Sequence, residues 1–408
     1  MNPKPALTLA LASVANLVLM SSNAAAASFG DDLAFLSKHV EVLLLSDKKG
    51  EAQVAVVPGY QGRVMTSTAK GPAGTSFGWI NRELIGSRKL QPHINAFGGE
   101  ERFWLGPEGG QFSVFFKKGD GFDLAHWQTP PVIDTERYEV SKQTLSSVEF
   151  KHQARLVNYS ATEFNVEIHR KLRLLDPNQS SELLGVAAGP KTKLVAYESS
   201  NSIKNTGAKA WTKDTGLLSI WMLGMFNPGP KTTVVIPYRA GAESKLGPVV
   251  NDAYFGKVPP DRLAVTPKAI YFKGDGQQRG KIGLSPKRAK PLVGSYDATE
   301  GVLTLVQFTK PKGATDYVNS MWEIQKEPFH GDVVNSYNDG PPSPGAKPLG
   351  PFYELESSSP AAALKPGESL THISRTFHFQ GPEAELNALC KKTLGVSLKQ
   401  ITTAFDKP

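Results

Sequence analysis

A single cysteine in 408 residues closes off two classes of structure at once. Cys390 alone can form no intrachain disulfide and cannot furnish a cysteine-rich zinc site. It falls on the apolar face of a predicted C-terminal helix, where a buried, inert thiol is the default. Other chemistries are missing too. There is no phosphate loop, no G-x-S-x-G elbow and no dinucleotide fingerprint, and the glycines of Gly274-Asp-Gly-Gln-Gln-Arg-Gly280 belong to a polar turn without strand-to-helix context. The formal charge is only +8, and its carriers, such as Lys48, Lys49, Lys117, Lys118, Lys287 and Arg288, are scattered. No run interleaves them with stacking aromatics, so nucleic acid is not an expected partner.

Long apolar runs are absent except at the start. Lys4 precedes an apolar stretch from Ala6 to Met20, followed by Ser21, Ser22, Asn23 and four alanines to Ala27. A basic start, a short apolar core and small residues make a secretory signal, with cleavage expected near Ala26 or Ala27. The core, at about fifteen residues, falls short of the roughly twenty needed to span a bilayer. The expectation is a signal peptide over 1–27 and an exported chain, periplasmic or secreted, with no membrane attachment after cleavage. Losing Lys4 and no acid lowers the formal charge from +8 to +7.

The remaining roughly 380 residues are enough for a substantial core without disulfides. Gly at 38 and Pro at 30 are more than a helical protein tolerates, and apolar residues recur mostly at period two. The chain therefore reads as all-β, one domain over 28–408 and a monomer. Predicted strands are 40–45, 52–57, 112–117, 164–175, 193–199, 217–226, 232–238, 303–308 and 372–379. Helices are predicted at 31–38 and 382–393, the second with Pro382 at its first turn and Gly395 beyond its end. The longest irregular stretches, 119–135 and 326–350, are of the length that walls a site or forms a flap.

The densest chemistry lies in His93 to Gly110, HINAFGGEERFWLGPEGG, with a histidine, three glutamates, an arginine and a tryptophan between two Gly-Gly pairs. Aromatic faces stack on sugar C–H faces, charged groups bind hydroxyls, and glycine lets backbone approach a ligand. Alternation puts Glu100, Arg102 and Trp104 on one face and Glu101 and Phe103 on the other; one set lines a cleft. Glu100 or Glu101 with Arg102 also reads as an internal ion pair. His93, Glu100, Glu101 and Glu108 are suitable metal ligands, but no motif sets their spacing, so neither metal nor cofactor is assigned.

Three stretches in order resemble the galactose mutarotase-like (aldose 1-epimerase) superfamily. Gly78-Trp-Ile-Asn81-Arg82, then His93 and Gly98-Gly99, resembles its asparagine-arginine pair and substrate-binding histidine. Arg170 to Asp176 and Val195 to Asn201, through Lys204-Asn205-Thr-Gly207, are similar to its central strands. Tyr353-Glu-Leu-Glu356-Ser-Ser-Ser-Pro360, then Leu364-Lys-Pro-Gly-Glu368 and His372 to Phe379, resembles its closing strand with the catalytic glutamate. The resemblance implies an antiparallel β supersandwich, a carbohydrate ligand, Glu356 as base with Glu354 beside it, and Arg82 and His93 at the ligand; the residues' own chemistry adds Glu100, Glu101, Arg102, Trp104 and Trp127 as ligand-binding candidates.

One departure is plain. Such enzymes place a proton-delivering histidine after the central turn, whereas Trp211 to Phe226 contains none. Ordinary mutarotation then lacks one of two acid–base partners, each worth about 10²–10⁴ in rate. His126 and His330, in the two long loops, are the candidate substitutes. In a strand, Glu354 and Glu356 share a face about 7 Å apart, and buried together each raises the other's pKa. A lyase or glycoside hydrolase using paired carboxylates, and a non-catalytic glycan-binding module, are the alternative readings.

Overall fold

The computed structural model describes residues 27–406, so the leader and its cleavage region up to Ala26 lie outside the described residues. Period-two patterning is realised directly. Along Glu163–Leu174 the buried positions are Phe164, Val166, Ile168, Arg170 and Leu172, and the residues between them reach towards water.

Such strands assemble into three sheets with every pairing antiparallel. A ten-stranded sheet runs in the order Leu263–Val265, Ala269–Lys273, Thr232–Pro237, Leu292–Asp297, Val302–Phe308, Ser369–Gln380, Lys193–Asn205, Glu163–Leu174, Ser147–Val157, Glu139–Gln143. Facing it is a five-stranded sheet, Gly280–Leu284, Val334–Asn338, Tyr353–Ser358, Ser219–Phe226, Arg102–Gly106. A three-stranded sheet, Leu43–Ser46, Gln53–Val57, Arg63–Thr68, joins the second through a bridge between Val64 and Glu101. All-β architecture with a helix near each end is therefore what the chain adopts.

The sandwich core lies between the large and the five-stranded sheets. Phe226, Ile282, Val334 and Leu355 meet Val234, Ile270, Phe272 and Val306 at one end, and Phe103 meets Phe150, Phe164 and Tyr197 at the other. Each fully buried side chain of this kind contributes about 1.5–3 kcal/mol. Helices Glu383–Thr393 and Leu398–Thr402 cover the large sheet's opposite face with Leu386, Leu389 and Cys390. There the Cys390 thiol is wholly buried, and burial pushes its pKa up to about 12. The N-terminal helix, Phe29–His39, opens on a capping box between Ser28 and Asp31 and buries Phe29 and Leu36.

With one face of the five-stranded sheet packed against the large sheet, its outer face is left to build a site. One predicted strand and one predicted irregular stretch need correction. Residues 112–117 form turns, not a strand, because Val114 and Ser113 bond back to Pro107 and Gly110 while the apolar side chains fill a wall. The stretch 326–350 is not irregular throughout, since Val334–Asn338 is a strand of the five-stranded sheet.

Candidate functional site

Register decides which side chains share the outer face. Lys281 lies opposite Tyr337, Tyr337 opposite Glu354, and Glu354 opposite Met225. One step along, Asn335, Glu356, Leu223 and Arg102 form a second row, and Ser358, Trp221 and Trp104 a third. Tyr353 and Leu355 point into the core, so Glu354 and Glu356 must point outward.

Over this floor stands a cavity of about 370 Å³. Its walls are largely aromatic. Trp104 meets Trp221 edge to face at 5.6 Å, and Trp127 stacks on Trp322 at 5.8 Å and on Phe115 at 6.0 Å. The 119–135 loop carries Trp127, and the turns after Gly340 add Pro342 and Leu349. His93 is at the exposed rim, where its Nδ1–H donates to the Trp127 carbonyl (2.8 Å); Nε2 is then the acceptor.

The polar groups are few and interlocked. Arg102 donates to Glu354 and lies 4.9 Å above the Trp104 ring. Lys281 Nζ reaches Glu356 Oε2 (3.1 Å) and sits 4.7 Å from the Trp221 ring, whose Nε1–H donates to the same oxygen (2.9 Å). Tyr337 donates to Asp339 Oδ1 (2.8 Å), and the Gly350 N–H donates to Asp339 Oδ2 (2.8 Å). Burial raises the Asp339 carboxyl, and its hydrogen bonds only partly offset that.

Glu108 sits just beyond Arg102–Gly106 and is anchored by its backbone N–H to Ser320 Oγ (3.2 Å). Burial, with Lys281 opposing and Glu356 adding, pushes its carboxyl up to about 7. Burial likewise raises Glu354, with Arg102 opposing and Glu356 adding. Burial alone would lower Lys281, but Glu356, Glu108 and Glu354 outweigh it and hold the ammonium above its ordinary range. Two carboxyls displaced towards neutrality beside a fixed cation form an environment suited to exchanging protons near pH 7.

Of the residues singled out in the sequence, His93, Arg102, Trp104, Trp127 and Glu354 line the cavity together. Glu356 lies directly beneath, fully buried, with Oε2 engaged and Oε1 unpartnered. Others are elsewhere. Arg82 caps the N-terminal helix region, paired with Asp32 at 2.6 Å and 4.7 Å from the Phe35 ring. Glu100 and Glu101 lie inside the sandwich, Glu100 3.4 Å from His378 and Glu101 2.7 Å from Arg170. Glu101 shares the inward face of Phe103, as alternation requires, whereas Glu100 leaves the face of Arg102 and Trp104 because Gly98 and Gly99, at φ 94° and 109°, turn the chain just before it. These glycines admit backbone, not ligand: a Cβ on Gly98 would stand 2.1 Å from the Trp79 carbonyl oxygen. His126 and His330 are exposed and face Asp123 (2.8 Å) and Glu327 (3.6 Å), and neither is among the residues that line the cavity.

Missed were Lys281, Arg279, Tyr337, Asp339, Trp221 and Trp322. Lys281 could have been found from Ile282 and Leu284, whose period-two spacing marks Gly280–Leu284 as a strand with Lys281 on its other face.

A family model for a family of unknown function, DUF6786, matches residues 27–405. The chain belongs to that family. No curated protein matches it. Among solved structures, this DUF6786 member is similar to a protein from Synechocystis sp. PCC 6803 at 14% identity and TM-score 0.48, covering 84% of this chain and 96% of that one. It is also similar to a galactose mutarotase-like protein from Lactobacillus casei ATCC 334 at 9% identity and TM-score 0.47, covering 83% and 100%. A third is a galactose mutarotase related enzyme from Lactobacillus acidophilus, at 10% identity and TM-score 0.45, covering 84% and 98%.

Proposed function

We propose that the cavity binds a sugar unit of a glycan and moves protons on it, with Glu108 and Glu354 as the acid–base pair. The observation that carries this reading is the meeting of four tryptophans with Glu108, Glu354 and the Lys281–Glu356 pair in one cavity. Tryptophan faces suit the C–H faces of a pyranose, and the charged floor suits its hydroxyls. One carboxyl near neutrality gives a proton while a second, ionised in the same pH range, takes one. Glu356 takes a different part from that expected of the closing-strand glutamate. Through Oε2, which holds Lys281 and Trp221, it positions the ammonium that steadies both acids.

The test is turnover, followed by proton NMR of anomeric signals, across reducing sugars, oligosaccharides and glycosides. Glu108→Gln and Glu354→Gln should each lower the rate by about 10² or more with sugar affinity little changed. If wild type binds sugars and changes none of them, the proton-transfer half fails and a glycan-binding module remains. Among the described residues, His93 is the histidine that lines the cavity and it stands at the rim, so proton transfer on the sugar falls to the two carboxyls.

The leader read at 1–27 supports a periplasmic or secreted site of action. Amino-terminal sequencing of exported material should start near Ser28, and an intact Met1 would refute export by cleavage.

A further inference from the structure

Four basic side chains, Arg102, Arg279, Lys281 and Lys347, line the cavity. Three have carboxylate partners: Arg102 has Glu354, Lys281 has Glu356, and Lys347 has Glu83. Arg279 differs. It forms no ion pair and no side-chain hydrogen bond with any described residue, and its guanidinium carbon lies 3.8 Å from the centre of the Phe255 ring.

Of the acids near it, Glu108 forms no ion pair with it, and the others are already engaged. Asp339 accepts from Tyr337 and from the Gly350 N–H, one donor on each oxygen, and Glu354 is held by Arg102. Phe255 is 43% exposed and lines the same cavity. A planar guanidinium seated on a ring at the mouth keeps its N–H fork free and oriented, which is the geometry that binds carboxylate, sulfate or phosphate in two-point fashion.

Resting on the carbohydrate reading above, we propose that the ligand is an anionic sugar, and that Arg279 receives its negatively charged substituent while the tryptophans hold the ring. The charge is a uronic carboxylate, a sulfate ester or a phosphate ester, all of which present paired oxygens to a guanidinium. Arg279 is thus a specificity-determining residue and takes no part in proton transfer.

Calorimetric titration of the full mature chain with matched ligands tests this: a neutral oligosaccharide and its uronic-acid, sulfated and phosphorylated counterparts. At least one anionic ligand should bind roughly tenfold to a hundredfold tighter than the neutral one. Arg279→Gln should remove that preference, bringing the anionic ligand to the affinity of the neutral one, whereas Arg279→Lys should keep part of it. The preferred member of the set identifies the anion. Equal affinity for neutral and anionic ligands, or a preference that survives in Arg279→Gln, overturns the proposal while the carbohydrate reading stands. Absence of binding by every sugar in the set overturns both.

Discussion

Arg170 and Glu101 show at single-residue scale what the interior of this sandwich tolerates. Both are buried, and the guanidinium donates to Glu101 (2.7 Å), Asn201 (2.7 Å) and the Gly62 carbonyl (3.2 Å) above the Phe103 ring. Truncation to Arg170→Met would leave a carboxylate without its cation, a loss of about 3–5 kcal/mol. Denaturant titration of the variant should show that drop; pairing it with Glu101→Leu should recover most of it, and no recovery would place the cost elsewhere. On the sheet's other side the same chemistry is turned to use. Lys281 is held by Glu356 and attracted by Glu108 and Glu354, so its ammonium stays charged at the cavity floor. Arg102, Trp104 and Glu354 were legible because alternation within a strand is a hard geometric rule. Glu101 obeys the rule by facing inward with Phe103, but Glu100 was not legible, since Gly98 and Gly99 with positive φ turn the chain immediately before it.

Among the elements, the strand Arg102–Gly106 depends on how it is entered. Gly98 must lie against the Trp79 backbone at φ 94°, a position an L side chain both clashes with and dislikes. Gly98→Ala is expected to cost about 2–5 kcal/mol from combined strain and overpacking. Because it displaces the chain leading to Arg102, it should also weaken sugar binding; a variant with wild-type melting would contradict this. Legibility across elements followed the same division. Strands such as Glu163–Leu174 and the terminal helices were readable from period and punctuation, apart from a residue or two at their ends. Val334–Asn338, buried at every position and set among polar residues and glycines, has no alternation to read. The turns at 112–117 are the converse case, an apolar run whose side chains fill a cavity wall while Gly110 and Gly119 at positive φ keep the backbone from extending.

For the whole molecule, buried titrating groups set a window of stability. Glu108 and Glu354 have folded pKa values raised above the ordinary 4.5, Glu108 to about 7, so their contribution is complete below 4.5 and lost as pH rises through 7. Asp32, Asp134, Asp332 and Asp339 are displaced the same way by burial. His372, wholly buried against Ser357 and Thr309, is lowered by burial from 6.5 to about 3. Its contribution is present above 6.5 and lost as pH falls towards 3. Between about pH 4.5 and 6.5 the raised carboxyls outweigh His372, so the melting temperature of the ligand-free protein should fall as pH rises through that range. Glu108→Gln should flatten the decline on the alkaline side; a midpoint still climbing at pH 8 would refute the assignment. The aromatic walls carry one more consequence. Four of the protein's six tryptophans, Trp104, Trp127, Trp221 and Trp322, border the cavity. Its ultraviolet emission is thereby dominated by indoles that a ligand would touch, so the unlabelled molecule is its own optical reporter of occupancy.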